Sequence, residues 1–174
     1  AAVIAETVAQ AKDASEAIKL EIEALPAVDT VETAAKADAP QIWPEVPGNL
    51  SLDFKNGDFA AVEAAFAGAA HVSRLKILNN RIVVAAMEPR AAAEYDGRFT
   101  LHVGCQGPFA TKNMLANRVL NVPPEQVRVR TRNVGGSFGM KSPVYPEYVA
   151  ILHGARDLGR PVKWCDERSN SFIS

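Results

Sequence analysis

Cysteine is scarce: Cys105 and Cys165 are the only two in 174 residues, far apart and without a CxxC pair. That usage shows no disulfide framework and suits a reducing compartment; with no secretory signal at the start of the chain, a cytoplasmic location is the expectation. Two thiols are also too few for an iron–sulfur cluster, which takes about four cysteine ligands. Long apolar runs are lacking, so no membrane-spanning segment is predicted. Neither sign of charge dominates, because 19 Lys and Arg face 20 Asp and Glu for a net charge of −1. Such a balance gives no support to a nucleic-acid partner or to an anionic membrane surface. The three histidines, His71, His102 and His153, show no metal-ligand spacing such as H-x3-H. No basic n-region with an apolar h-region opens the chain, which argues against a retained secretory signal. Ala1 instead enters helix-like sequence directly, and the expectation is a piece of a longer polypeptide.

Hydrophobic residues make up 48% and charged residues 22%, an ordinary balance for a globular protein. Ile4, Val8, Ala11, Ser15 and Ile18 recur at helical spacing, and Leu20 to Ala24 then alternates with period two. A helix and a strand cannot enclose a core, so they are expected to end a domain that lies upstream. Pro26, Pro40, Pro44 and Pro47 punctuate a long connector, and the domain boundary is placed there. Asp58 is the expected N-cap of a helix that buries Phe59, Val62, Phe66 and Ala69. Extended sequence follows around Leu75, Ile77, Val83 and Val84. Two strands joined at Asp96-Gly97 make the strongest hairpin signal, with Phe99, Leu101, Val103 and Cys105 on one face. Pro108 opens a helix that runs to about Leu120, and Gln126 to Arg132 alternates as a strand. A helix over about Pro146–Leu158 and a strand over Val162–Cys165 complete the pattern. The tail Asp166–Ser174 has no evident partner. Strand, helix, strand, helix, strand predicts an α/β fold: a mixed sheet with helical crossovers and at least local parallel pairing.

The loop Gly135-Gly136-Ser137-Phe138-Gly139-Met140-Lys141 stands out, with three glycines in five residues. Glycine permits positive φ and close approach of a ligand to the main chain, and successive N–H groups can form a nest for oxygen-rich groups. The spacing fits neither familiar phosphate loop. Met140 separates Gly139 from Lys141, and Val134 stands where G-x-G-x-x-G needs its first glycine. A tight strand-to-helix turn is the competing reading. Gln106 precedes a helix N-terminus, where its amide can donate to a ligand oxygen or serve only as a cap. If the sheet is locally parallel, Gln106 and the loop share its ligand-binding edge. Arg128, Arg130 and Arg132 read as a solvated strand face, and both cysteines as core thiols. Glu88, Glu94, Glu147 and Asp166 supply carboxylates, with no pair placed for acid–base chemistry. A non-catalytic α/β module that binds a nucleotide, or that serves only in assembly, is the alternative function.

Asn80-Arg81, Met87-Glu88-Pro89-Arg90, Ala93-Glu94-Tyr95-Asp96, Gly104-Cys105-Gln106, Val134–Lys141, Pro146-Glu147 and Gly159–Trp164 occur in one order. Together they resemble the large, molybdenum-binding subunit of the xanthine dehydrogenase/aldehyde oxidase family, nearest in wording to bacterial aerobic carbon monoxide dehydrogenase-like subunits. The resemblance covers nearly the whole chain. It implies that residues 1–25 end an α/β hammerhead domain, 26–57 form a linker, and 58–174 begin a molybdopterin-binding domain. It further implies a molybdenum hydroxylase that uses molybdopterin cytosine dinucleotide, with FAD on a medium subunit and [2Fe-2S] clusters on a small subunit. The reaction class would be oxidative hydroxylation of an aldehyde or heterocycle, or oxidation of carbon monoxide. Carried over by position, Gln106 would hydrogen-bond an oxo ligand of molybdenum. Gly135, Gly136, Ser137, Phe138 and Gly139 would form the cofactor loop, with Phe138 shaping the pocket. No residue of the chain would ligate the metal directly. Ser137 departs from the family's commoner third glycine, and its hydroxyl would add a ligand contact or alter φ. The catalytic glutamate and the substrate loop would lie beyond Ser174, so the chain alone is expected to be inactive.

Overall fold

The computed structural model describes residues 1–80, 82–95 and 97–172, with residues 91–94 by their backbone. Strands β1 (Ala91–Tyr95), β2 (Phe99–His102), β3 (Val127–Arg130) and β4 (Val162–Cys165) form a four-stranded sheet in the order β3-β2-β1-β4. β1 pairs antiparallel with β2, Tyr95 opposite Phe99, and antiparallel with β4, Ala91 opposite Cys165. β2 and β3 are parallel, with Phe99 opposite Val127 and His102 opposite Arg130. β2, β3 and β4 therefore all run one way, and the segments that follow them leave from one edge. The expected hairpin is present as the β1–β2 pair; of its turn, Gly97 has φ +84 and Asp96 lies outside the described residues. Arg81, in the Asn80-Arg81 motif, does so too.

Helix α4 (Pro108–Met114) joins β2 to β3 and continues as a π-helical stretch, Leu115–Leu120, which Asn121 ends in the left-handed region. Its proline sits in the first turn, where the missing N–H is harmless. Helix α5 (Pro146–Leu158) packs against β1, β2 and β4 and is capped by Gly159 at φ +60. The core is continuous through Phe99, Leu101, Val103 and Cys105, with Leu115, Tyr148 and Leu152 against them. Period-two alternation puts the four β2-side residues on one buried face, as their spacing predicts. Each fully buried leucine there contributes about 1.5–3 kcal/mol.

Alternation also corrects one expectation. In β4, Val162 and Trp164 face inward, so Cys165 is exposed and only Cys105 is a core thiol. The tail likewise has a partner after all. Asp166 is buried against Arg90, and a short helix α6 (Arg168–Ser171) follows. At the other end, α1 (Val8–Glu16) starts from a capping box of Thr7 and Gln10. Glu6 with Arg160 and Lys12 with Glu167 tie this segment to the same unit, which comprises residues 1–18 and 80–174.

Residues 19–79 form a second compact unit. It contains a one-turn helix α2 (Val31–Ala34), a 3₁₀ turn Pro47–Asn49, and α3 (Phe59–Gly68). Asn49 organises the proline-rich part: its Nδ2 donates to the carbonyls of Ala34 and Pro40, both at 3.0 Å, and its Oδ1 accepts Ile42 N–H at 2.9 Å. Asp58 caps α3 as its sequence predicts, accepting Ala61 N–H at 3.0 Å. The expected burial of that helix fails, since Phe59, Val62 and Phe66 are all exposed. The strand expected at Leu20–Ala24 is also absent, and Leu75 and Ile77 lie outside any strand and are exposed. Alternation becomes a strand only where a neighbouring edge satisfies its backbone, and among the described residues none does.

Candidate functional site

The exits of β2 and β3 meet at the sheet edge. β2 leads through Gly104 and Cys105 to Gln106, whose N–H donates to the carbonyl of Lys141 at 3.2 Å. Gln106 Oε1 accepts the N–H of Gly139 at 3.1 Å and the hydroxyls of Ser137 at 2.7 Å and Ser142 at 3.2 Å. A main-chain N–H only donates, so the atom facing Gly139 must be the amide oxygen. That fixes the amide orientation and turns Nε2 outward as a donor. Among the described residues Nε2 has no acceptor.

Within the loop, Gly136 and Gly139 adopt φ of +99 and +92, and Phe138 adopts +51. A side chain in that region is strained by about 1–2 kcal/mol, which the surrounding bonds hold in place. Met140 N–H reaches the carbonyl of Ser137 at 3.0 Å, and Ser142 N–H that of Gly139 at 3.2 Å. The Ser137 hydroxyl donates to Gln106 and accepts Lys141 N–H at 3.3 Å. Its one donor is thus used inside the loop, and Ser137 does not take a positive φ. Among the described residues, the successive N–H groups of Gly136, Ser137 and Phe138 are left without acceptors. The Phe138 side chain beside them is 78% exposed. Oxygen-rich ligands suit such a surface, because oriented main-chain dipoles attract them without a formal charge.

Lys141 does not join that surface. It is 1% exposed, and its Nζ donates to Glu88 Oε2 at 2.7 Å. The same oxygen accepts Gly135 N–H at 2.9 Å, and Glu88 N–H donates to the Gly135 carbonyl at 3.0 Å. Burial pushes the Glu88 carboxyl up, but the hydrogen bonds from Lys141 and Gly135 and the Lys141 charge together hold it below its ordinary value. The lysine that invites comparison with phosphate loops is therefore neutralised from within.

Behind the loop, Arg90 and Asp166 form a buried pair at 2.8 Å, each side chain 2% exposed. The Arg90 guanidinium lies 3.9 Å from the centre of the Tyr145 ring, and Tyr145 donates its hydroxyl to the Met140 carbonyl. Arg168 donates to the carbonyls of Ala86 at 3.2 Å and Met87 at 2.8 Å. Burial raises the Tyr148 phenol far above its ordinary range, with the Arg90 charge opposing. Reasoning from sequence missed the Glu88–Lys141 and Arg90–Asp166 pairs, whose partners lie far apart along the chain. Their only signal was that Glu88 and Arg90 fall in the Met87–Arg90 motif. Among the described residues, no group of three or more His, Cys, Asp or Glu is placed to hold a metal ion, and no helix is long and apolar enough to cross a membrane.

Residues 42–174 match the molybdopterin cofactor-binding domain. The chain belongs to that family. It is 34% identical over 166 residues to the 6-hydroxypseudooxynicotine dehydrogenase complex subunit gamma of Paenarthrobacter nicotinovorans, covering 94% of this chain and 20% of that one. It is 31% identical over 184 residues to the carbon monoxide dehydrogenase large chain of Hydrogenophaga pseudoflava, covering 97% of this chain and 23% of that one. Among solved structures, quinoline 2-oxidoreductase from Pseudomonas putida 86 superposes with a TM-score of 0.75 at 30% identity, over 96% of this chain and 21% of that one. The Cu,Mo-CO dehydrogenase superposes with a TM-score of 0.81 at 25% identity, over 96% and 23%. The chain spans about a fifth of the length of these relatives. The mixed α/β class and the expected family both stand.

Proposed function

We propose that this chain is the part of a molybdenum hydroxylase large subunit that presents Gln106 and the loop Gly135–Gly139 to molybdopterin cytosine dinucleotide. The observation that carries the reading is the pinning of Gln106 Oε1 by Gly139, Ser137 and Ser142, which turns Nε2 out as a fixed donor. Three unpaired N–H groups lie in the same loop, and glycine at positive φ lets a bulky group approach them. Such a surface fits a ligand with several oxygens, and its donors are preorganised before the ligand arrives. When bound, the cofactor supplies the oxidation itself, whether insertion of a water-derived oxygen into a C–H bond or oxidation of carbon monoxide. Gln106 would hold a cofactor oxygen through Nε2, the loop amides would hold others, and Phe138 would wall the space beside them. By family resemblance residues 1–25 would end a preceding hammerhead domain, 26–57 link it, and 58–174 begin the cofactor domain, while in the fold itself residues 1–18 pack with 80–174 as one compact unit.

The catalytic base and substrate loop are assigned to the remainder of the subunit, so the 174-residue chain does not turn over alone. Partners are that remainder, an FAD-binding medium subunit and an iron–sulfur small subunit, in the cytoplasm. The substrate class is an aldehyde, a heterocycle or carbon monoxide; relatives are named for nicotine, quinoline and carbon monoxide. Gln106→Ala in the full-length complex tests the reading. Turnover should fall about 10²-fold, the usual loss for one preorganised donor. Unchanged turnover with full molybdenum content removes Gln106 from the site.

A further inference from the structure

One carboxylate oxygen holds both ends of the glycine loop. Glu88 Oε2 accepts Gly135 N–H at 2.9 Å and Lys141 Nζ at 2.7 Å, and Glu88 N–H closes a third bond to Gly135 at 3.0 Å. Gly135 and Lys141 bracket every loop residue that carries an unpaired donor. The seat for the Glu88 side chain also depends on two missing Cβ atoms. A Cβ at Gly104 would lie 2.5 Å from Glu88 Oε2, and one at Gly135 would lie 2.5 Å from Glu88 Cβ. Neither glycine has a positive φ, so conformational freedom does not explain them. Space for Glu88 does. Gly104 stands two positions before Gln106, so Glu88 touches both segments of the site while its own carboxylate is directed at the loop ends.

We infer that Glu88 is a positioning residue that sets the glycine loop in register with Gln106, acting through Gly135 and Lys141. This rests on the reading of the loop as a cofactor site, but the clamp is measurable without turnover. Lys141 serves the clamp as its buried counter-charge. Removing the carboxylate frees Gly135 N–H and leaves an uncompensated ammonium at the loop's far end, so both ends loosen together.

The test uses the full-length complex with Glu88→Ala, Glu88→Gln and Gly104→Ala, read by hydrogen exchange over residues 133–142 and by molybdenum content. Glu88→Ala should speed exchange there about tenfold or more, as loss of a charge-assisted bond would. Glu88→Gln keeps an oxygen in the seat, guards against a folding failure, and should restore much of the protection. Gly104→Ala leaves Glu88 in the chain but displaces its carboxylate, and should reproduce the faster exchange. Unchanged exchange over 133–142 in both Glu88→Ala and Gly104→Ala overturns the inference, as does an increase spread evenly through the domain. Faster loop exchange with undiminished molybdenum content and turnover upholds the clamp and counts against the cofactor reading instead.

Discussion

Gln106 Oε1 accepts the main-chain N–H of Gly139 at 3.1 Å, across two segments that leave the sheet from parallel strands. This contact gives the glutamine a defined polarity, oxygen toward the protein and nitrogen toward the ligand side. A cap residue would need only the first half of that arrangement.

The two halves separate in Gln106→Glu. A carboxylate still accepts Gly139 N–H, but its second oxygen faces outward as an acceptor and carries charge. Loop hydrogen exchange in the full complex should stay close to wild type while turnover falls about 10²-fold or more. Turnover and protection falling together would make Gln106 a loop strut.

Gly136→Ala probes the loop's backbone. At φ +99 an alanine is strained, and its Cβ would lie 3.0 Å from the Phe138 ring. Local stability of residues 133–142, read by hydrogen exchange, should drop by about 1–3 kcal/mol. The Phe138 ring should shift as well, detectable as a moved ring in a variant structure.

Asp166→Ala leaves the Arg90 guanidinium buried without its counter-ion. Removing one partner of such a pair costs about 3–5 kcal/mol. Exchange should rise in peptides covering 84–90 and 162–172 together, since Asp166 N–H also bonds the Arg90 carbonyl at 2.9 Å. A rise confined to one peptide would show that the pair does not couple them.

Acid should loosen the loop through Glu88. Its folded-state carboxyl lies below the ordinary value of 4.5. The stabilisation is therefore complete above that value and is lost as pH falls through the folded one. Exchange over 133–142, corrected for intrinsic rates, should rise on the acid side of that window in wild type and stay flat in Glu88→Gln.

Local rules made much of this legible. Alternation placed Phe99, Leu101, Val103 and Cys105 on a buried face, and Pro108, Pro146 and Gly159 marked helix ends. The strand–helix–strand order anticipated the parallel β2–β3 pair, and with it the shared edge of Gln106 and the loop. Periodicity failed where it needed a partner: the apolar face of α3 and the segment around Leu75 and Ile77 remain exposed. It also said nothing of Glu88 with Lys141 or Arg90 with Asp166, because pairs so distant in sequence leave no spacing to read. Ser137 stands where glycine is commoner, with a hydroxyl expected to add a ligand contact or alter φ; its φ is not positive, and the hydroxyl bonds Gln106 and Lys141.

The most direct measurement is a structure of the full-length complex with its cofactor bound. Gln106 Nε2 should lie within about 2.7–3.2 Å of a cofactor oxygen, with the Gly136–Phe138 amides facing the same group. A cofactor seated away from that edge, with Gln106 Nε2 facing solvent or protein, would contradict it.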